Sequence, residues 1–114
     1  MEIDIAKQDD TNIKYKNNSD FDLSVTVTSG GSAVDLSAKV IRMYIKKNRD
    51  YQSFVYNLST TGGEITVSGA SNNILTWSKV MELPNDTYYY DVYNVTDNDY
   101  IMGGLIKVLR NVTT

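Results

Sequence analysis

The sequence predicts an all-β domain, a β-sandwich of about seven short antiparallel strands. Runs in which apolar and polar residues alternate recur along the chain, and this period of two is typical of strands with one buried face. Gly, Asn, Asp and Ser separate these runs at short intervals, which predicts turns. The 114 residues are enough for one hydrophobic core and too few for two.

The clearest strand is predicted over residues 21–28. Its alternating apolar residues are Phe21, Leu23, Val25 and Val27. Polar residues occupy the positions between them, so one face is expected to be buried and the other solvated. Gly30 and Gly31 follow and predict a turn, because glycine adopts positive φ without a steric penalty.

Six further strands complete the prediction. They are expected over residues 39–47, 53–58, 65–67, 74–77, 87–96 and 101–112. Their inward side chains should include Ile41, Met43, Ile45, Leu75 and Trp77. One short helical turn is predicted over Ser78–Leu83, with Ser78 as its cap and Pro84 after its end. In the last strand, Gly103 and Gly104 predict a bulge or the close approach of another backbone.

Residues 1–18 differ from residues 19–114, which hold the predicted sandwich. They are rich in Lys, Asp and Asn, and only two short alternating pairs occur in them. They form either a first edge strand with a loop or an arm that orders against a partner. No basic stretch precedes an apolar one, so no signal peptide is predicted and we expect the chain to fold in a cytoplasm.

Composition excludes much catalytic chemistry. The sequence has no cysteine and no histidine, which removes disulfides, thiol nucleophiles and the commonest general base. We therefore expect no enzyme activity and no cofactor. The net charge of −3 argues against a nucleic-acid partner, and no apolar run is long enough for a membrane span.

Two acidic patterns leave narrower alternatives. The Asp97-Asn98-Asp99 run resembles the start of a calcium loop, but it lacks the glycine and glutamate that such a loop needs, so we expect a turn. Carboxylate pairs such as Asp20 with Asp22 would suit glycoside hydrolysis if they faced one cleft. Solvated surface charge is the simpler interpretation.

Tyrosines concentrate between residues 88 and 93. Alternation places Tyr88 and Tyr90 on one face of the predicted strand, and Tyr89 and Tyr93 on the other. One face belongs to the core. The other carries either scattered surface tyrosines or a patch that binds sugars or a protein partner. We predict Tyr44, Tyr89 and Tyr93 as exposed partner-binding anchors.

Several segments in a fixed order resemble a known family. They are Asp20–Thr28, Val34-Asp35-Leu36-Ser37, Lys39–Lys47, Leu83-Pro84-Asn85-Asp86-Thr87-Tyr88-Tyr89-Tyr90-Asp91-Val92, Gly104–Val108 and Val112-Thr113. This order is similar to the Ig-like β-domain of tailed-phage virion proteins, known as the N-terminal domain of upper baseplate proteins. In that family a Val-Asp-Leu turn precedes a basic strand, and a Leu-Pro hairpin with alternating tyrosines comes later. Asp86 stands where the family usually has glycine.

The resemblance implies an Ig-like sandwich without catalytic residues, acting as a structural component of a bacteriophage virion. Upper baseplate proteins continue into a stalk and a receptor-facing part, and we expect neither in this protein. We therefore expect an auxiliary or decoration protein that docks on the major capsid protein. A baseplate or tail accessory protein is the alternative. A carbohydrate-binding module that binds surface glycans through exposed tyrosines is the alternative from another class.

Overall fold

The computed structural model describes residues 1–7, 10–17, 19–47, 56–83 and 87–109. In these residues the chain is all-β, as predicted, and contains no helix. Its strands are β1 (Glu2–Asp4), β2 (Ile13–Lys16), β3 (Leu23–Ser29), β4 (Ser32–Ala33), β5 (Ile41–Lys46), β6 (Tyr56–Ser59), β7 (Ile65–Ser68), β8 (Ile74–Trp77), β9 (Thr87–Asn94) and β10 (Asp99–Leu109). The predictions for residues 53–55, Pro84 and residues 110–112 lie outside the described residues.

The ten strands form two mixed sheets of five strands each. Sheet I has the order β1-β3-β8-β7, with β4 paired to β3, and sheet II has the order β2-β10-β9-β5-β6. β1 runs parallel to β3, and β2 runs parallel to β10. The described part of residues 19–114, where about seven antiparallel strands were predicted, has eight strands, and all their pairings are antiparallel; the parallel pairings involve β1 and β2. Residues 1–18 contribute an edge strand to each sheet, and parallel pairs need the long connections that these strands have.

One hydrophobic core takes residues from both sheets. The predicted alternation is confirmed, since Val25 and Val27 of β3 are fully buried and the polar residues between them are not. Ile41, Met43 and Ile45 of β5 are fully buried as well, as are Leu75 and Trp77 of β8. These residues belong to a single cluster of buried side chains. The core covers one face of sheet II, and the other face of sheet II points outward.

The helical turn predicted over Ser78–Leu83 is wrong. The segment runs extended, and Val80 forms a β-bridge with Asp20. Its backbone N–H groups donate to distant partners instead of to the preceding turn of a helix. These bonds are Ser78 N to Glu64 O (3.0 Å), Met81 N to Tyr15 Oη (2.9 Å), Glu82 N to Tyr56 Oη (3.0 Å) and Leu83 N to Asn17 Oδ1 (2.7 Å). Tertiary hydrogen bonds therefore outweigh the local capping signal.

Candidate functional site

The outer face of sheet II carries the three predicted anchors. The β5–β9 register pairs Arg42 with Tyr93, Tyr44 with Asp91, and Lys46 with Tyr89. Residues directly opposite each other on antiparallel strands lie on the same face of a sheet. Tyr88, Tyr90 and Val92 point into the core and are buried. The alternation predicted for residues 88–93 is therefore confirmed.

The three anchors are half-buried rather than fully exposed. Tyr93 packs edge-to-face against Tyr100, with ring centroids 5.6 Å apart and an interplanar angle of 78°. Tyr100 lies opposite Tyr93 across the β9–β10 hairpin. The sequence analysis did not select Tyr100 as an anchor, although a hairpin centred on residues 95–98 would have placed it on this face. The outer face thus carries four neighbouring tyrosines.

A cavity of about 190 Å³ opens among these tyrosines. Its lining includes Asp10, Tyr44, Lys46, Tyr89, Asp91 and Tyr100. It brings the predicted anchors Tyr44 and Tyr89 together, and Tyr93 supports it from outside through Tyr100. Asp10 was not predicted as a site residue. Nothing in its local sequence signals the position, which depends on the parallel pairing of β2 with β10.

The two glycines of β10 make room for this arrangement. A Cβ on Gly103 would lie 2.5 Å from the Tyr100 hydroxyl oxygen and 2.6 Å from Asp91 Oδ1. A Cβ on Gly104 would lie 2.5 Å from the Thr11 carbonyl oxygen. The close approach predicted for this pair is therefore confirmed. A register irregularity also occurs in β10, between Tyr100 and Met102, just before the glycines.

Hydrogen bonds fix the N-terminal wall of the cavity. Thr11 N donates to Gly103 O at 2.8 Å, and the Tyr90 hydroxyl donates to Thr11 O at 2.6 Å. Leu105 N donates to Asn12 Oδ1 at 3.2 Å. These bonds hold residues 11 and 12 against β9 and β10, next to Asp10. The wall is therefore part of the folded domain and needs no ligand to form.

Negative charge surrounds the tyrosine hydroxyls of the cavity. Burial raises the pKa of Tyr100, and the nearby carboxylates of Asp91 and Asp10 raise it further. The pKa of Tyr90 is raised by burial first, then by Tyr100 and the same two carboxylates. Both hydroxyls therefore stay protonated at neutral pH. The cavity combines aromatic rings, hydroxyl groups, two carboxylates and one ammonium group.

Cations surround the tyrosines on the rest of this face. Five outward strand positions of sheet II are basic, namely Lys14, Lys16, Arg42, Lys46 and Lys107. Among the outward strand positions described for sheet II, Asp91 is acidic, and Asp10 adds a second carboxylate from the N-terminal segment. The face is therefore locally positive, although the whole chain carries a net charge of −3.

The Asp97-Asn98-Asp99 run forms a hairpin turn, as predicted. Asp97 N donates to Asn94 Oδ1 at 3.2 Å, and Asn98 adopts a positive φ of 57°. Lys39 Nζ lies 3.0 Å from Asp97 Oδ2. Hydrogen bonds from Lys39 and from Asn94 lower the pKa of Asp97. Within the described ranges, no group of three acidic residues is placed to hold a metal ion.

No protein-family model matches the chain, and no curated protein matches it. Among the described residues, no helix has the length and apolar character needed to cross a bilayer.

Proposed function

We propose that this chain is a non-enzymatic structural module of a tailed-phage particle, with an Ig-like sandwich fold. It docks through the outer face of sheet II onto a larger virion protein. Its place is that of an auxiliary or decoration protein on the major capsid protein, and a baseplate or tail accessory role is the alternative. The family resemblance of residues 20–113 supports the virion assignment.

The row of half-buried tyrosines on sheet II supports the docking face. Tyr44, Tyr89 and Tyr93 lie side by side on two central strands. Tyrosine supplies a large contact area at a low cost in side-chain entropy, and it is enriched among the residues that dominate binding energy. Because these rings are already packed against neighbours, little further ordering is needed on binding.

The charge of the face supports a partner with a negatively charged surface. Five cations around the tyrosines fit a partner surface with a net negative charge, since complementary potentials favour encounter and set the orientation. A stable interface needs roughly 800 Å² from each partner, which fits a molecule with extents of 40 × 29 × 24 Å. Repetition of the site on a symmetric shell adds avidity, so each contact can be weak.

Co-sedimentation with parent phage particles tests this proposal. The parent chain should sediment with particles that lack their own copy, and binding should weaken as salt rises. An Arg42→Glu, Lys107→Glu double variant should lose at least tenfold in affinity. A Lys79→Glu variant, which changes an exposed lysine outside sheet II, should bind normally. Absence of this chain from purified particles would overturn the virion assignment, and equal losses in both variants would overturn the docking face.

A further inference from the structure

The cavity on sheet II carries more than a docking contact. We propose that it binds one neutral sugar ring, either a free monosaccharide or the terminal unit of a glycan. This assignment goes beyond the docking proposal and does not depend on it; it concerns the free protein, because a partner docked on sheet II would cover Tyr44 and Tyr89. It rests on the size of the cavity, on its aromatic lining and on the balance of its charges.

The size of the cavity sets the size of the ligand. Pockets for drug-sized molecules usually measure about 300–1,000 Å³, whereas this one measures about 190 Å³. A single six-membered ring with its hydroxyl groups suits that space better than two linked rings. An internal unit of a polysaccharide would need an open groove to continue on both sides. The cavity therefore suits one ring, either free or at the end of a chain.

Three tyrosines supply the apolar contacts. Tyr44, Tyr89 and Tyr100 come from three adjacent strands and meet at the cavity. The C–H faces of a pyranose ring are apolar, and they pack on aromatic rings as other apolar groups do. Tyr100 is held by its edge-to-face contact with Tyr93. This contact keeps one aromatic wall in position before a ligand arrives.

The charged residues favour a neutral sugar over an acidic one. The carboxylates of Asp10 and Asp91 accept hydrogen bonds from sugar hydroxyls, and the Lys46 ammonium donates to sugar oxygens. Two carboxylates against one ammonium leave the cavity with a net negative charge, which disfavours an acidic sugar. A neutral polyol with both donors and acceptors satisfies all three groups.

The fold holds this site in advance. Gly103 leaves space for the Tyr100 hydroxyl and for Asp91 Oδ1. Thr11 is tied to β9 and β10 by two hydrogen bonds, so the neighbouring Asp10 is presented from an anchored segment. A preformed site loses less conformational entropy when it binds its ligand. Residues 10–12 therefore serve the site as well as the fold.

Titration of the free ¹⁵N-labelled protein tests the assignment by NMR. The probes are the methyl glycosides of glucose, galactose and N-acetylglucosamine, together with methyl glucuronide and tetramethylammonium. At least one neutral glycoside should give saturable shifts around residues 44–46, 89–91 and 100–104, with a millimolar Kd. Methyl glucuronide should bind at least tenfold more weakly, because its carboxylate meets the net negative charge of the cavity. Tetramethylammonium tests whether the cavity is a cation site instead.

Variants separate the cavity from the rest of the face. Asp10→Asn should weaken sugar binding at least fivefold, and it is a safe substitution because Asp10 is exposed. Tyr89→Ala should abolish binding. Lys107→Ala, on the same face but outside the cavity lining, should leave the sugar Kd unchanged.

Several results would overturn the sugar site. They are the absence of saturable shifts with every neutral glycoside, preferred binding of either charged probe, and an equal loss in Lys107→Ala. Because the titration uses no particles, its failure leaves the docking proposal intact. Failure of co-sedimentation likewise leaves the sugar site intact.

Discussion

The hydroxyl of Tyr15 offers the sharpest test of how the N-terminal residues join the fold. Tyr15 lies on β2 and is 4% exposed. Its hydroxyl accepts a hydrogen bond from Met81 N at 2.9 Å and lies 2.9 Å from Met81 O and 2.5 Å from Ser19 O. It therefore satisfies the backbone of the segment that replaces the predicted helical turn. Tyr15→Phe removes only this oxygen.

The expected loss follows from the burial of Met81. Met81 is fully buried, so without the hydroxyl its N–H group has neither the phenol nor water as a partner. An unsatisfied buried backbone group costs about 1–3 kcal/mol, and this figure includes the lost hydrogen bond. The free energy of unfolding should therefore fall by about 1–3 kcal/mol. The ring contact with Phe21, at a centroid distance of 5.7 Å, is retained by phenylalanine.

Tyr56→Phe provides the matched control. The Tyr56 hydroxyl accepts a hydrogen bond from Glu82 N at 3.0 Å, one residue along the same segment, but this bond is exposed. Water can replace it, so the loss should stay below about 1 kcal/mol. Urea unfolding measures both variants through the fluorescence of Trp77, the single tryptophan, which is fully buried.

The comparison of the two variants decides whether burial of the hydrogen bond sets the size of the loss in the free energy of unfolding. The reasoning predicts a larger loss for Tyr15→Phe by at least 1 kcal/mol, with the same dependence on urea as the parent. Equal losses within about 0.5 kcal/mol would refute it. Such a result would mean that the Met81 backbone does not depend on the Tyr15 hydroxyl.

Three further predictions concern the rest of the fold. Gly104→Ala should cost about 1–3 kcal/mol in urea unfolding, because its Cβ would meet the Thr11 carbonyl oxygen; a neutral substitution would contradict the close approach. Deletion of residues 1–4 should uncover the edge of β3 and cause concentration-dependent association in size-exclusion chromatography; a deletion variant that stays monomeric would contradict this. Asp97→Asn should lower the free energy of unfolding at pH 7 but not at pH 2. An equal loss at both pH values would contradict a stabilising ion pair between Asp97 and Lys39.

The sign of the Asp97 prediction follows from its lowered pKa. The Lys39 hydrogen bond and the Asn94 amide hold the pKa of the folded carboxyl below its ordinary value. The ionised form therefore stabilises the fold above the unfolded pKa of about 4. That stabilisation disappears as the pH falls through the lowered folded value. Chemical denaturation of parent and variant between pH 2 and pH 7 measures the difference.

The sequence predicts the parts of the fold that short-range periodicity encodes. The buried faces of β3, β5 and β9 follow directly from alternation, as does the inward pair Leu75 and Trp77. The parallel pairings of β1 and β2 do not, because their partners lie far along the chain and alternation does not identify a partner. The prediction of a helical turn failed because it used only the local signals Ser78 and Pro84. The backbone N–H groups of this segment donate instead to Tyr15, Tyr56 and Asn17, which lie far away in the sequence.

The same distinction applies to the candidate site. Alternation alone places Tyr89 on the outer face, and the β5 pattern places Tyr44 there as well. The cavity also needs Tyr100, which the β9–β10 hairpin brings back to this face, and Asp10, which comes with the N-terminal segment. Chain pairing creates these two contacts. The residue pattern of each segment, taken alone, does not predict that Tyr100 and Asp10 meet at the cavity.

The most direct measurement is hydroxyl-radical footprinting of the protein on parent phage particles and free in solution. Modification of Tyr44, Tyr89 and Tyr93 should fall at least threefold on the particle, because docking covers the outer face of sheet II. Val80, an exposed side chain outside both sheets, should be modified equally in the two samples. Protection of Val80 without protection of the tyrosines would contradict the proposal that this chain docks through sheet II.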